Sequence, residues 1–261
     1  MEQNQIRVLD RAVDILDILR RNGGKARIHQ IQKETDLAKS TIFRILNALM
    51  TKGYIKKLPD QETYALGYRL IELSFSAVSE WDVVQLAAPF LEQIRDDFNE
   101  TGALAIKSGI RYSFVSQAAC QREYRVNVTL GEHYYLHWAG TGKTMLAYSS
   151  PEEIKQICAL LPDTAVTSNT IRDVNRLKEE LSLIKNTRYA YSYSERVEGG
   201  ASISVPLFNR AGEVQAALSL IAPEIRLRKI NIEAAGQKMI EIASQLEHLF
   251  QSAGVVLEYC P

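Results

Sequence analysis

Lys39, Ser40, Thr41 and Arg44 set two cations and two hydroxyls within six residues. Directly behind them Ile42, Ile45, Leu46 and Leu49 recur at helical spacing. The segment Lys39–Lys52 therefore predicts a helix with an apolar back and a polar, cationic N-terminal front. That combination suits insertion into the major groove of duplex DNA. A guanidinium can grip a guanine edge with two parallel bonds, and lysine and hydroxyl side chains hold phosphates or bases.

The flanking residues fit such a helix. Ile28–Asp36 predicts a second short helix, Leu37-Ala38 the turn between the two, and Gly53 a stop. Tyr54–Leu58 and Thr63–Leu66 then predict a hairpin joined by Pro59-Asp60-Gln61-Glu62. Helix, turn, helix and β-wing in that order is the winged helix-turn-helix, with Lys56 and Lys57 on the wing suited to phosphate or minor-groove contacts. The competing reading is a small helical core with solvated lysines; the agreement of several independent signals weighs against it.

A second set of residues suggests binding of a small molecule. Ser192, Ser194, Ser202, Ser204 and Ser219 lie on three predicted strands made otherwise of small, apolar or aromatic residues. Ser202 and Ser204 have the same parity and so face one side. Gly140 and Gly142 stand at the start of a predicted helix, where free amides would suit a small carboxylate. Together they would form an apolar-walled pocket with a few polar groups; a serine-bearing solvent face is the alternative.

Other chemistry is weakly supported. Ala139-Gly-Thr-Gly-Lys-Thr144 resembles a phosphate loop, but the position five before Gly142, where the first glycine belongs, is His137. His133 and His137 are four apart with no evident third metal ligand, and the chain has no G-x-S-x-G elbow. No catalytic residue, metal or cofactor is expected.

These residues need two different supports. Residues 1–70 hold 13 Lys+Arg against 8 Asp+Glu, and the remainder 18 against 23, so a net charge of zero hides a basic head on an acidic body. Before the helix pair, Ile6–Arg21 predicts a third helix ending at Asn22-Gly23-Gly24. After the wing a helical stretch from Gly67 runs, with a break, to Asp97, with Pro89 as a kink or restart. Strands are expected at 103–107, 111–118, 124–128, 189–194, 201–208 and 214–221, and helices at 141–148, 151–160, 173–185 and 229–252. Short, hairpin-like connections imply an antiparallel sheet, hence an α+β body. The domains expected are 1–67, a linker helix region at 68–98, and 99–261. Cys120, Cys158 and Cys260 are widely spaced without a CxxC, and no signal peptide or membrane-length apolar run occurs. A cytoplasmic, disulfide-free protein with no membrane partner is the expectation.

Taken in order, Leu37-Ala-Lys-Ser-Thr-Ile-Phe-Arg-Ile-Leu46, Tyr64-Ala-Leu-Gly67, His137 with Gly142-Lys-Thr and Leu146-Ala147, Tyr189-Ala with Ser192, Glu195 and Gly199, Ser204-Val-Pro206, Gly212 and Ala217-Leu-Ser219 resemble the IclR family of bacterial transcription regulators. The resemblance runs nearly end to end. It implies a winged-helix head, a linker helix and a GAF-like effector domain, assembled as homodimers or dimers of dimers on palindromic operator DNA. It also implies a small organic or aromatic acid as effector, held by Gly140, Thr141, Ser192, Ser202 and Ser219, with DNA contacts from Lys39, Ser40, Thr41 and Arg44. The chain departs from many members at Arg188, where they have Gly, and at Ser202, where they have Cys. It also has Ile221 at a position where a polar group is common, and Ser192 near a position where an acidic one is common.

Overall fold

The computed structural model describes residues 7–255 except Gln61, Glu80, Trp81 and Pro162. Cys260, and Ile6 at the expected start of the first helix, lie outside the described residues. The chain divides into two compact units, residues 1–81 and 82–261.

The first unit runs α1 (Arg7–Arg21), β1 (Lys25–Arg27), α2 (Ile28–Thr35), α3 (Lys39–Thr51), β2 (Ile55–Lys57), β3 (Thr63–Leu66) and α4 (Tyr68–Ser79). Ile15, Ile18 and Leu19 of α1, Ile31 of α2, and Ile42, Ile45 and Leu46 of α3 meet Ile55 and Tyr64 in one core. This is the helical periodicity of the sequence realised as a buried face. Asp36 adopts the left-handed conformation (φ 51°) that ends α2, and Gly53 (φ 77°) turns the chain from α3 into the wing. The wing turn is held by Asp60, whose carboxylate accepts bonds from the Glu62 and Thr63 amides and the Thr63 hydroxyl. The Thr63 hydroxyl, above all, holds that carboxyl below its usual range. Strand β1 was not expected; it pairs with β3 on the side opposite β2, giving the order β1-β3-β2. At three residues ending in the polar Arg27, it carries too little pattern to read.

The second unit runs α5 (Asp82–Phe98), β4 (Thr101–Ser108), β5 (Arg111–Ala118), β6 (His133–Tyr135), α6 (Ala139–Leu146), α7 (Pro151–Leu160), α8 (Val174–Thr187), β7 (Ala190–Tyr193), β8 (Gly200–Phe208), β9 (Val214–Pro223), α9 (Glu224–Leu227) and α10 (Ile232–Ala253). Its strands form one antiparallel sheet, β6-β5-β4-β9-β8-β7. The α+β reading is correct. Helices α5 and α10 pack on each other and on the sheet, while α6 packs across β7, β8 and β9. Both faces are therefore covered, and the central strands bury nearly every residue. Helix α7 starts at a capping box of Ser150 and Glu153 followed by Pro151. Asp173 and Asn231 cap α8 and α10.

Two expectations are corrected. Residues 124–128 are not a strand. Tyr124-Arg-Val-Asn-Val128 alternates like one, but β5 takes β6 as its outer partner at Arg111–Ser113, and the loop's carbonyls find side chains instead. The Val128 carbonyl accepts from Gln117, and that of Tyr124 from Arg226. Val126 and Val128 still point into the core, which is why the alternation exists. Pro89 does not restart a helix either: α5, Asp82–Phe98, continues through it. Lacking an N–H, Pro89 costs α5 its bond to the Gln85 carbonyl without ending the helix.

Arg188 ends α8 with φ 63°, a conformation costly for a side chain with a Cβ. Relief of that strain is worth about 1 kcal/mol, offset by about 0.5 kcal/mol for its stacking on Phe208 at 5.5 Å. Arg188→Gly should therefore raise stability by roughly 0.5 kcal/mol, read as a small rise in the denaturation midpoint; a fall would show the stacking to outweigh the strain.

Candidate functional site

In the first unit α3 has the face its sequence requires. Ile42, Ile45 and Leu46 are buried, Thr41 is half-buried, and Lys39, Ser40 and Arg44 are exposed. Among the described residues Arg44 makes no ion pair or hydrogen bond, so its guanidinium is free for a partner. Phe43, 37% exposed, and Asn47 share this face; Phe43 carries the Lys39 ammonium 6.0 Å from its ring. Sequence reasoning did not single out these two, although i+4 and i+7 spacing from Lys39, Ser40 and Phe43 marks them. Asparagine is the side chain suited to adenine. On the wing Lys56 and Lys57 are both exposed, and Lys57 rests 5.8 Å from the Tyr64 ring.

In the second unit the predicted serines are all buried, so they do not form a solvent face, and Ser202, Ser204 and Ser219 meet α6. The register pairs Ser202 with Ser192 and Ser204 with Ser219. Ser192 and Ser202 bond each other at 3.0 Å. Thr141, Ser204 and Ser219 close a ring of three hydroxyls at 3.2, 2.9 and 2.8 Å. A small cavity of about 20 Å³ lies beside this cluster, lined by Thr141, Ser192, Ser202, Phe114, Glu195 and Arg196 among others. Ser204 and Ser219 do not line it; they sit behind, satisfied by Thr141. Ser194, left-handed at φ 54°, is also away from it and accepts the Gly199 amide.

Gly140 and Gly142 lie within α6, not ahead of it, and both are buried. A Cβ on Gly140 would meet the Ser202 hydroxyl at 2.9 Å, and one on Gly142 the Leu136 carbonyl at 2.5 Å. The Gly140 contact is an approach of α6 to the sheet and the Gly142 contact an approach to the turn before α6, and neither position leaves room for a Cβ. Ala139, which does line the cavity, has φ 59°; left-handed backbone in a residue with a Cβ is the kind of strain found at ligand sites.

Lys143, the lysine of the Gly142-Lys-Thr144 motif, is fully buried on α6. Its ammonium meets Glu180 Oε2 at 2.5 Å and Glu195 Oε1 at 2.6 Å. The lysine of the phosphate-loop look-alike is thus spent on two carboxylates of its own chain. Burial pushes the Glu195 carboxyl upward, against the pull of Lys143. The two histidines are each held by a separate hydroxyl: His133 Nδ1 by Ser113 at 2.9 Å and His137 Nε2 by Thr164 at 3.0 Å. Among the described residues no three His, Cys, Asp or Glu side chains are grouped as a metal would need.

His137 carries a pH dependence. The Thr164 hydroxyl donates to the Leu160 carbonyl, so it accepts from His137 Nε2–H, and Nδ1 is buried without a partner. Burial lowers the His137 pKa from 6.5 to about 4. The unfolded chain therefore binds the proton first as pH falls, and stability is lost from pH 6.5 down to about 4. Between pH 7.5 and 5 the loss should be about 2 kcal/mol, and His137→Gln should flatten it, measured by urea denaturation at each pH.

Two family descriptions match the chain: the IclR helix-turn-helix domain over residues 8–59 and the bacterial transcriptional regulator IclR C-terminal over residues 75–248. The chain belongs to the IclR family. The HTH-type transcriptional regulator BhcR of Paracoccus denitrificans is 30% identical over 92% of this chain and 86% of its own length. The HTH-type transcriptional repressor AllR of Escherichia coli is 25% identical over 94% and 90%. Among solved structures, an IclR-family regulator from Alicyclobacillus acidocaldarius superposes with a TM-score of 0.82 at 24% identity, covering 94% of this chain and 98% of that one. An IclR homologue from Microbacterium hydrocarbonoxydans, solved in complex with 4-hydroxybenzoate, gives 0.81 at 21%, covering 94% and 99%. This IclR-type chain is a transcriptional regulator with a DNA-binding head, not an enzyme. No helix among its described residues is long and apolar enough to cross a membrane.

Proposed function

We propose that this regulator binds a palindromic operator as a homodimer or dimer of dimers and is controlled by a small carboxylate held beside α6. The observation that carries the DNA half is the α3 face: Lys39, Ser40 and Arg44 stand free above a buried Ile42-Ile45-Leu46 back. Lys39, Ser40, Thr41 and Arg44 would meet bases and phosphates, and Lys56 and Lys57 the backbone beside them. Two heads in a dimer would present their α3 helices to successive major grooves about 34 Å apart. Support for self-association comes from apolar residues left in solvent on the first unit: Val8, Leu9 and Val13 of α1 at 60, 60 and 51% exposure, and Ile71 and Leu73 of α4 at 47 and 43%. A duplex-DNA partner also implies residence in the cytoplasm.

The effector half is supported by the cavity with its Thr141, Ser192 and Ser202 hydroxyls, and by the 4-hydroxybenzoate bound to the Microbacterium hydrocarbonoxydans homologue. Residues 68–98 would carry the signal as a linker helix region between residues 1–67 and 99–261. An effector shifts operator affinity only by its preference for one arrangement of the heads, commonly ~1–3 kcal/mol. The test is operator binding by the full chain with and without a panel of small aliphatic and aromatic acids. A change of about fivefold or more for some acid is expected. Identical operator affinity with every acid, at concentrations that calorimetry shows to saturate the cavity, would overturn effector control.

A further inference from the structure

Arg196 and Glu195 line the same cavity, and each keeps a polar group that the fold leaves unused. The Arg196 guanidinium lies over Tyr134 at 4.6 Å and Phe114 at 5.9 Å, and among the described residues it has no ion pair or hydrogen bond. Arg226, the other half-buried arginine lying over a tyrosine ring, instead grips both oxygens of Glu100. A guanidinium stacked by its face keeps its N–H edge open, and that edge matches a carboxylate with two parallel bonds. Glu195 is 7% exposed; its Oε1 takes the Lys143 ammonium, while its Oε2 is buried with no donor. Buried oxygens of this kind are rare because an unmade bond there is costly.

Size and position add to this. Arg196, Val126 and Val197 line both the inner cavity of about 20 Å³ and an outer one of about 580 Å³. The inner space admits a group about the size of one water, and the outer space has room for the rest of a ligand. Arg196 stands where the two meet.

We propose that Arg196 and Glu195 select a hydroxy acid, the ligand carboxylate lying on the Arg196 edge and its hydroxyl entering the inner cavity to donate to Glu195 Oε2. This rests on the effector reading above and names the ligand class and the two residues that choose it. A neutral hydroxyl fits better than an ammonium, because Lys143 already offsets the Glu195 charge and Arg196 adds a second cation. Ser192 and Ser202, bonded among the described residues only to each other through hydroxyls able to turn, would complete the hydrogen bonds of the ligand.

The test is calorimetry on the full chain with three matched probes: lactate, propionate, which lacks the hydroxyl, and lactamide, which lacks the carboxylate. Two variants accompany it, Arg196→Met, which keeps an apolar stem over the rings, and Val197→Trp, which fills the cavity mouth from a half-exposed position. Circular dichroism checks that both fold. Lactate should bind the wild type, with propionate and lactamide each weaker by about tenfold or more. Arg196→Met should cost lactate a similar factor and erase its advantage over lactamide, and Val197→Trp should abolish binding. Lactate binding blocked by Val197→Trp but untouched by Arg196→Met would overturn the Arg196 role while leaving the cavity as the effector site. Binding indifferent to Val197→Trp would overturn the cavity reading itself. Equal binding of propionate and lactate, or none by lactate, would overturn the hydroxy-acid class.

Discussion

Lys143→Met is expected to destabilise the protein by about 3 kcal/mol, the largest single effect the structure predicts. The ammonium is fully buried between Glu180 and Glu195, whose side chains are 29% and 8% exposed. Removing it leaves two carboxylates facing each other with only the more distant Arg176, 3.7 Å from Glu180, to offset them, and Glu195 is almost wholly buried. The loss comes from that stranded charge rather than from the worth of the ion pair, since buried pairs often do no better than apolar residues of the same shape. The double variant Lys143→Met with Glu195→Leu should therefore recover most of the stability. Acid should soften the single variant as well. Burial already raises the Glu195 carboxyl, so in the variant it takes a proton more readily, and the penalty shrinks as pH falls. Urea denaturation of the two variants at pH 7.5 and 5 separates these terms. A single variant within about 0.5 kcal/mol of wild type would show that Glu195 is neutral in the folded protein and that Lys143 is not holding a charge.

Arg44→Ala is expected to cost about 1–3 kcal/mol in operator affinity and to relax preference at one base pair. Arg44 is exposed and without a protein partner, so the folded state should lose little, and the whole effect should appear on DNA. Lys57→Ala provides the contrast. A lysine on the wing meets phosphate, so its loss should weaken all duplexes alike and make the salt slope shallower by about 1. The two variants are compared on operator and random duplex by fluorescence anisotropy over a salt series. If Arg44→Ala weakened both duplexes equally, Arg44 would be a phosphate contact and not a base reader. Asn47, on the same face, would then be the next residue to test.

The head was nearly all legible in the sequence, because its information is local. Apolar spacing in α1 and α3, the Gly53 stop and the turn at Asp60 each act within a few residues, and the structure realises them in place. The sheet of the second unit was legible as strands but not as a sheet. Nothing local says that β9 lies between β4 and β8, or that β6 and not residues 124–128 borders β5. Alternation reports which side chains are buried, and Val126 and Val128 are half-buried and buried without a ladder. For the cavity, parity placed Ser202 and Ser204 on one face correctly, yet only Ser202 reaches the space beside α6. Ser204 is taken by Thr141 and Ser219, partners 63 and 15 residues away. Lys143, Glu195 and Arg196 went unread for the same reason: their roles depend on neighbours from α8 and β5, such as Glu180 and Phe114.

The central claim is that α3 reads a particular DNA sequence. Anisotropy of the full chain on the DNA immediately upstream of its own gene, against random duplex and across a salt series, addresses it most directly. Tighter binding to the upstream fragment, falling steeply as salt rises on both duplexes, is the predicted result. Equal affinity for the two duplexes, with and without small acids present, would contradict it.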